Sequence, residues 1–172
     1  CNIAIGQSAL FINSTGASNT AVGTRSMQCN TTADFNTAMG SCALFANTTG
    51  TKGVAIGSGA LDANTTANEN TAVGYESLTT NTTGGGLTAL GEGSLACNTT
   101  GSSNTAAGRS ALKANTTGAT NTAVGQNALT ANTTGANNTA LGYGAGKAIT
   151  TSTGNTVIGV NALCTHTETG YD

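Results

Sequence analysis

Asn121-Thr-Ala-Val-Gly125-Gln-Asn-Ala-Leu129-Thr-Ala-Asn132-Thr-Thr-Gly135-Ala-Asn137 is one unit of a repeat that runs the length of the chain. The glycine of its N-T-A-V-G segment recurs at Gly6, Gly23, Gly40, Gly57, Gly74, Gly91, Gly108, Gly125, Gly142 and Gly159, always 17 residues apart. Self-similarity at a fixed short period is the signature of a stacked-repeat fold, and it takes precedence over any local reading.

Each phase of the unit has a physical reading. An aliphatic precedes the glycine in every copy, as Ile5, Val22, Met39, Ile56 and Val73 illustrate. Four residues after the glycine stands a leucine in eight copies, with Met27 and Gly146 in the other two. These two columns are expected to form the interior. The N-T-A-V run alternates like a strand, so Thr20 and Val22 share one face and Asn19 and Ala21 the other. The N-T-T-G tract is turn chemistry. The recurring glycine fits a corner that needs positive φ or close backbone approach.

A helical repeat is excluded. Apolar positions do not recur at i, i+3, i+4, i+7, and helical repeats are longer, roughly 33–47 residues. The expected fold is therefore all-β: a parallel β-solenoid of ten 17-residue coils, each with two short strands and two turns. At ~4.8 Å per coil it makes a rod of about 48 Å. The whole chain, 1–172, reads as one repeat domain, and 142–172 as its perturbed C-terminal copies. There Gly146 replaces the core leucine and Ile149 replaces a recurring asparagine, so that copy is read as a bulge or as the approach to another module.

Composition narrows the function. Lys and Arg number 5 and Asp and Glu 7, for a net charge of −2. No basic stripe exists to neutralise phosphates, so nucleic acid is not an expected partner. No run of about 20 apolar residues exists, so no membrane span is expected. The chain opens at Cys1 rather than Met, as a mature product or a stretch of something longer would.

One leucine and one aliphatic per 17 residues make a thin core, and extra burial would help to offset the entropy of ordering the chain. Ala21, Ala38, Ala55, Ala72, Ala89, Ala106, Ala123 and Ala140 form a column opposite the Thr/Val side. Read as outward-facing, that column suits close approach of another copy. The expected partner is self, in a homo-oligomer, a trimer before other stoichiometries.

The N-T-A-V-G, V-A-I-G and T-A-L-G segments resemble the head repeats of trimeric autotransporter adhesins. The longer N-T-A-V-G-x-x-A-L-x-A-N-T-T-G form is similar to repeats in phage tail-fibre and bacterial surface-fibre proteins. The resemblance spans Asn2 to about Leu163. It implies a left-handed roll, three rolls packed side by side, and an extracellular, cell-surface or virion location. The adhesin repeat is shorter, so the extra residues here are expected to enlarge a turn.

Several residues could carry chemistry. Asn13, Asn30, Asn47, Asn64, Asn81, Asn98, Asn115 and Asn132 each begin N-[ST]-T, and Asn137 begins N-N-T, so all nine are N-glycosylation sequons. Two readings compete: a stacked Asn ladder at a turn, or a column of glycans. The threonine rows through Thr31 and Thr32 raise ice binding, although a two-column array wants i, i+2 spacing and the N-T-T tract puts asparagine there. No catalytic, cofactor or metal site is expected. His166 is the sole histidine, and a terminal His166, Glu168, Asp172 cluster is the one grouping worth naming. Gly142 to Lys147 fails the phosphate-loop spacing. Cys29 and Cys97 share a mostly alanine phase and are expected to be buried. They lie four coils apart, at about 19 Å, too far for a disulfide. Cys1 and Cys164 could bond between chains.

The expected function is non-enzymatic: a stiff segment of an extracellular or virion fibre. Receptor or glycan contact would fall on variable positions after the glycine, such as Tyr75, Glu76, Arg109, Gln126 and Tyr143. The alternatives are the subunit of a self-assembling, N-glycosylated filament and an ice-binding solenoid.

Overall fold

The computed structural model describes residues 1–165. The chain forms a parallel β-solenoid with one strand per coil. The strands are β1 (Ile3–Ile5), β2 (Thr20–Val22), β3 (Thr37–Met39), β4 (Val54–Ile56), β5 (Thr71–Val73), β6 (Thr88–Leu90), β7 (Thr105–Ala107), β8 (Thr122–Val124), β9 (Thr139–Leu141) and β10 (Thr156–Ile158). They pair in sequence order into one 10-stranded sheet. Equivalent residues pair throughout, as in Ala21 with Ala38 and Val22 with Met39.

The second strand expected in each coil is absent among the described residues. The chain after the glycine passes through two left-handed residues, Ser110 (φ 58°) and Leu112 (φ 50°) in one coil, with equivalents in the others. Two such residues one apart cannot sit in an extended strand. Axial bonding nonetheless continues. Ser110 N–H donates to Glu92 O of the preceding coil at 2.9 Å, and Leu112 N–H to Ala128 O of the following coil at 3.0 Å. Left-handed backbone costs a non-glycine residue about 1–2 kcal/mol. Complete burial of the Leu112 side chain offsets that cost.

The orientation of the sheet corrects one expectation. The alternation holds, but the alanine side faces in. Ala21, Ala38, Ala55, Ala72, Ala89, Ala106, Ala123 and Ala140 are all 0% exposed. They are core, not an outward column, and cannot line an oligomer interface. The aliphatics before the glycine point out instead: Ile5, Met39, Ile56, Leu90, Val124, Leu141 and Ile158 are 36% to 66% exposed. A coil of 17 residues is narrow. One large side chain per layer fills it, and the leucine column takes that place at Leu44, Leu61, Leu78, Leu95, Leu112 and Leu129. From β2 to β9 the opposing wall is held to alanine, because a second branched side chain would overpack the layer; in β10 the buried Val157 takes that place.

The glycine before each corner from Gly6 to Gly142 is required twice over. Gly74 has φ +138°, and a Cβ there would lie 2.6 Å from the backbone carbon and oxygen of Gly91 in the next coil. The perturbed copy does not bulge. β9 and β10 keep register, and Gly146 holds the left-handed φ of the leucine column (+62°) while donating its N–H to Ala162 O at 2.8 Å.

Candidate functional site

The turn asparagines form a ladder inside the coil. Asn115 Nδ2 donates to Asn98 Oδ1 of the preceding coil at 2.8 Å and to Gly118 O of its own coil at 2.9 Å. Asn115 Oδ1 in turn accepts from Asn132 Nδ2 at 3.0 Å. Asn30, Asn47, Asn64, Asn81, Asn98, Asn115 and Asn132 are at most 2% exposed. Both hydrogens of each Nδ2 are used indoors, so these seven cannot carry an N-glycan in the folded chain. Asn13 is half-buried, and its Nδ2 donates to Gly16 O at 3.0 Å. Of the nine sequons, Asn137 alone lies exposed, with φ 59° on a turn and with Thr139 exposed as well.

A second asparagine ladder runs beside the first, through the first residue of N-T-A-V. Asn104 Nδ2 donates to Gly118 O at 2.7 Å, the same carbonyl that Asn115 uses, and Asn104 Oδ1 accepts Asn121 N–H at 2.8 Å. Asn19, Asn36, Asn70, Asn104, Asn121, Asn138 and Asn155 are all buried, and Gly53 and Leu87 interrupt the column. Its signal in the sequence is an asparagine that recurs on the alanine face of the strand. Together the two ladders satisfy the inward side-chain amides of a turn that has little apolar cover, save for Asn132 Oδ1 at the last rung, and buried amides need that satisfaction.

The N-T-T tract is not a strand, so its two threonines differ in role rather than in face. Thr116 Oγ1 donates to Thr133 O at 3.0 Å, and Thr31, Thr48, Thr65, Thr82 and Thr99 repeat that bond. The second threonine, as at Thr32 or Thr117, is exposed.

The outward face of the sheet carries two columns at i, i+2: Thr20, Thr37, Thr71, Thr88, Thr105 and Thr122 in one, and the aliphatics in the other. Neither column contains a charged residue. Beside it, Tyr75, Arg109, Gln126 and Tyr143 fall in a single column one residue past the glycine, and Glu76 in the next. Tyr75 and Tyr143 are about half exposed, and Gln126 is half-buried.

The cysteines depart from expectation: Cys29 is half-buried and Cys97 exposed. Their phase lies outside the narrow core, between the leucine and asparagine columns. No grouping of three or more metal-ligating side chains and no ligand-sized pocket occurs among the described residues. His166, Glu168 and Asp172 lie outside them. Among the described residues no helix is long and apolar enough to cross a membrane. No protein-family model, curated protein or solved structure matches the chain.

Proposed function

We propose that this chain is a structural segment of an extracellular or virion fibre, of the adhesin-head or tail-fibre kind, and acts without catalysis. The observation that carries the reading is axial continuity. Every coil from Asn19 to Asn138 is tied to the next at the sheet, at the corner after the glycine and at the N-T-T turn. The asparagine ladders add side-chain bonds along the same axis. Bonds that all run along one axis resist bending and extension of that axis, and the coil can be repeated without redesign because each contacts only its neighbours.

In this reading the coil is left-handed and three chains lie side by side, as the resemblance to adhesin heads implies. Tyr75, Glu76, Arg109, Gln126 and Tyr143 offer varied chemistry for a host receptor or glycan. Burial of the asparagine ladder counts against the alternative of an N-glycosylated filament. Electron microscopy of chains with added copies of the unit tests the proposal. Rods that lengthen by ~4.8 Å for each 17 residues added are expected. Particles that widen, or whose length does not track copy number, would overturn it.

A further inference from the structure

Charge is divided along the rod. Up to Glu92, Arg25 and Lys52 are outnumbered by Asp34, Asp62, Glu69, Glu76 and Glu92. From Gly93 to Thr167 there is no acidic residue, and the only Lys and Arg are Arg109, Lys113 and Lys147. These three share the outer corner that follows the glycine. There the columns two and five residues past the glycine adjoin in space. Arg25, of the first of these columns, lies 4.4 Å over the ring of Phe45, of the second, and its Nε–H donates to Gln28 Oε1 of that second column at 2.9 Å. Lys113 and Lys147 stand in the second column and Arg109 one residue before the first, all exposed. Between them the chain is low, at Ser110, Asn127 and Gly144. Lys113 and Lys147 are two coils apart, about 10 Å along the axis. On the same strip the side chains of Ser110, Gln126, Asn127 and Thr130 have no hydrogen-bond partner among the described residues. The nearby Asn115 and Asn121 amides, by contrast, each donate to two acceptors.

We infer that this corner strip binds a linear acidic polysaccharide, with a carboxylate on every second sugar, laid along the rod axis. A pair of pyranose residues advances such a chain by the distance that a pair of coils advances the rod. Successive carboxylates therefore meet Lys113 and Lys147. Arg109 adds a planar fork that can pair with a carboxylate through two parallel bonds. Between the cations, Ser110, Gln126, Asn127 and Thr130 offer free donors and acceptors to the hydroxyl and amide groups of the intervening sugar. Tyr143, about half exposed, ends the strip with a ring for the C–H face of a pyranose. A nucleic acid carries a charge on every residue and needs more closely spaced cations. No enclosed pocket occurs among the described residues, and an open strip suits a polymer that lies across several coils.

This assignment rests on the surface-contact reading above and names its ligand class; the fibre reading is tested separately, by rod length. Binding to hyaluronan and to unsulfated chondroitin, both acidic at every second sugar, is measured against neutral dextran and polyglutamate. The natural chain is expected to bind the two acidic polysaccharides, less tightly as salt rises, and neither control polymer. Lys113→Gln with Lys147→Gln is expected to weaken binding about five-fold or more, the effect of losing two exposed ion pairs. Arg25→Gln with Lys52→Gln, an equal loss of charge in the acidic half, should leave binding unchanged. All four side chains are exposed, and thermal unfolding that matches the natural chain shows that the variants fold. No binding to either acidic polysaccharide, or equal binding to dextran, overturns the ligand class while sparing the fibre reading. An equal loss from the control pair overturns the site. Tighter binding to polyglutamate gives the strip to an acidic peptide instead. Self-association that the Lys113 and Lys147 substitutions abolish gives it to the acidic half of a second copy.

Discussion

Ile149 occupies the ladder position 17 residues beyond Asn132, and it leaves Asn132 Oδ1 a buried side-chain acceptor with no donor among the described residues. Every earlier rung from Asn13 to Asn115 has its Oδ1 filled by the next asparagine. The ladder therefore ends in an unmet hydrogen bond. An acceptor left so costs about 1–3 kcal/mol.

Ile149→Asn would restore the donor. It removes a buried aliphatic side chain and supplies one amide, so the opposing effects are expected to leave stability within about 1 kcal/mol of the natural chain. Ile149→Ala loses the same packing with no new bond and should cost about 2–4 kcal/mol. Urea unfolding of the pair checks this. Equal losses would mean that the open acceptor carries no penalty.

Within the ladder, Asn98→Ala deprives Asn81 Oδ1 of its donor and Asn115 Nδ2 of one acceptor, and opens one donation to Gly101 O. A loss of about 2–4 kcal/mol is expected, with unfolding starting near that coil. Thr100→Ala, on the exposed threonine of the same turn, should stay within about 0.5 kcal/mol. Hydrogen exchange with mass spectrometry reads both the size and the place of the effect.

Two glycines separate the demands of conformation and space. Gly74→Ala meets a forbidden φ and the Gly91 backbone together, and should cost more than about 3 kcal/mol. Gly59 has φ +68°, and a Cβ there would meet only Glu76 Cγ at 3.5 Å. Ser8, Arg25 and Cys42 already hold that phase with similar φ. Gly59→Ala should therefore change stability by about 1 kcal/mol or less. Thermal unfolding of the two variants decides it.

Occupancy of the sequons should be uneven. Secretion from an N-glycosylating host is expected to yield folded protein with sugar at Asn137 and none at Asn30, Asn47, Asn64, Asn81, Asn98, Asn115 or Asn132. Glycopeptide mass spectrometry checks it. Sugar on any of those seven in a protein that retains its fold would contradict the buried ladder.

Burial raises the Asp62 carboxyl above the ordinary aspartate value, and Arg25 pulls it back in part. A folded pKa above the unfolded one means that the folded chain binds the proton more tightly. That contribution is fully present below about pH 3.8 and is lost as pH rises through the raised value. Asp62→Asn should remove this dependence and leave the chain slightly more stable at neutral pH. Denaturation midpoints from pH 3 to 7 should show a flatter profile for the variant, and parallel profiles would refute the assignment to Asp62.

The repeat by itself determined most of the architecture. Glycine at every seventeenth residue, the strand-like N-T-A-V and the N-T-T-G turn lead to a parallel all-β solenoid. Leu112 and its equivalents are readable as core because a large aliphatic recurs opposite the turn. The ladder through Asn115 is readable because Asn stacks on Asn at a turn. Which side of the strand faces in was decided only by the tertiary structure. Alternation puts Thr122 with Val124 and Asn121 with Ala123, but it is blind to which pair is inside. Hydrophobicity alone favours Val124. The closed coil reverses that choice, because Leu129 already fills the layer and Asn121 must reach the Gly135 carbonyl, which it meets at 2.8 Å. The same closure imposes left-handed backbone on Leu129 (φ 49°), which leucine would not adopt in a free chain. What sequence periodicity cannot express is the width of the coil. That width turns the alanine column into core and leaves the larger aliphatics outside.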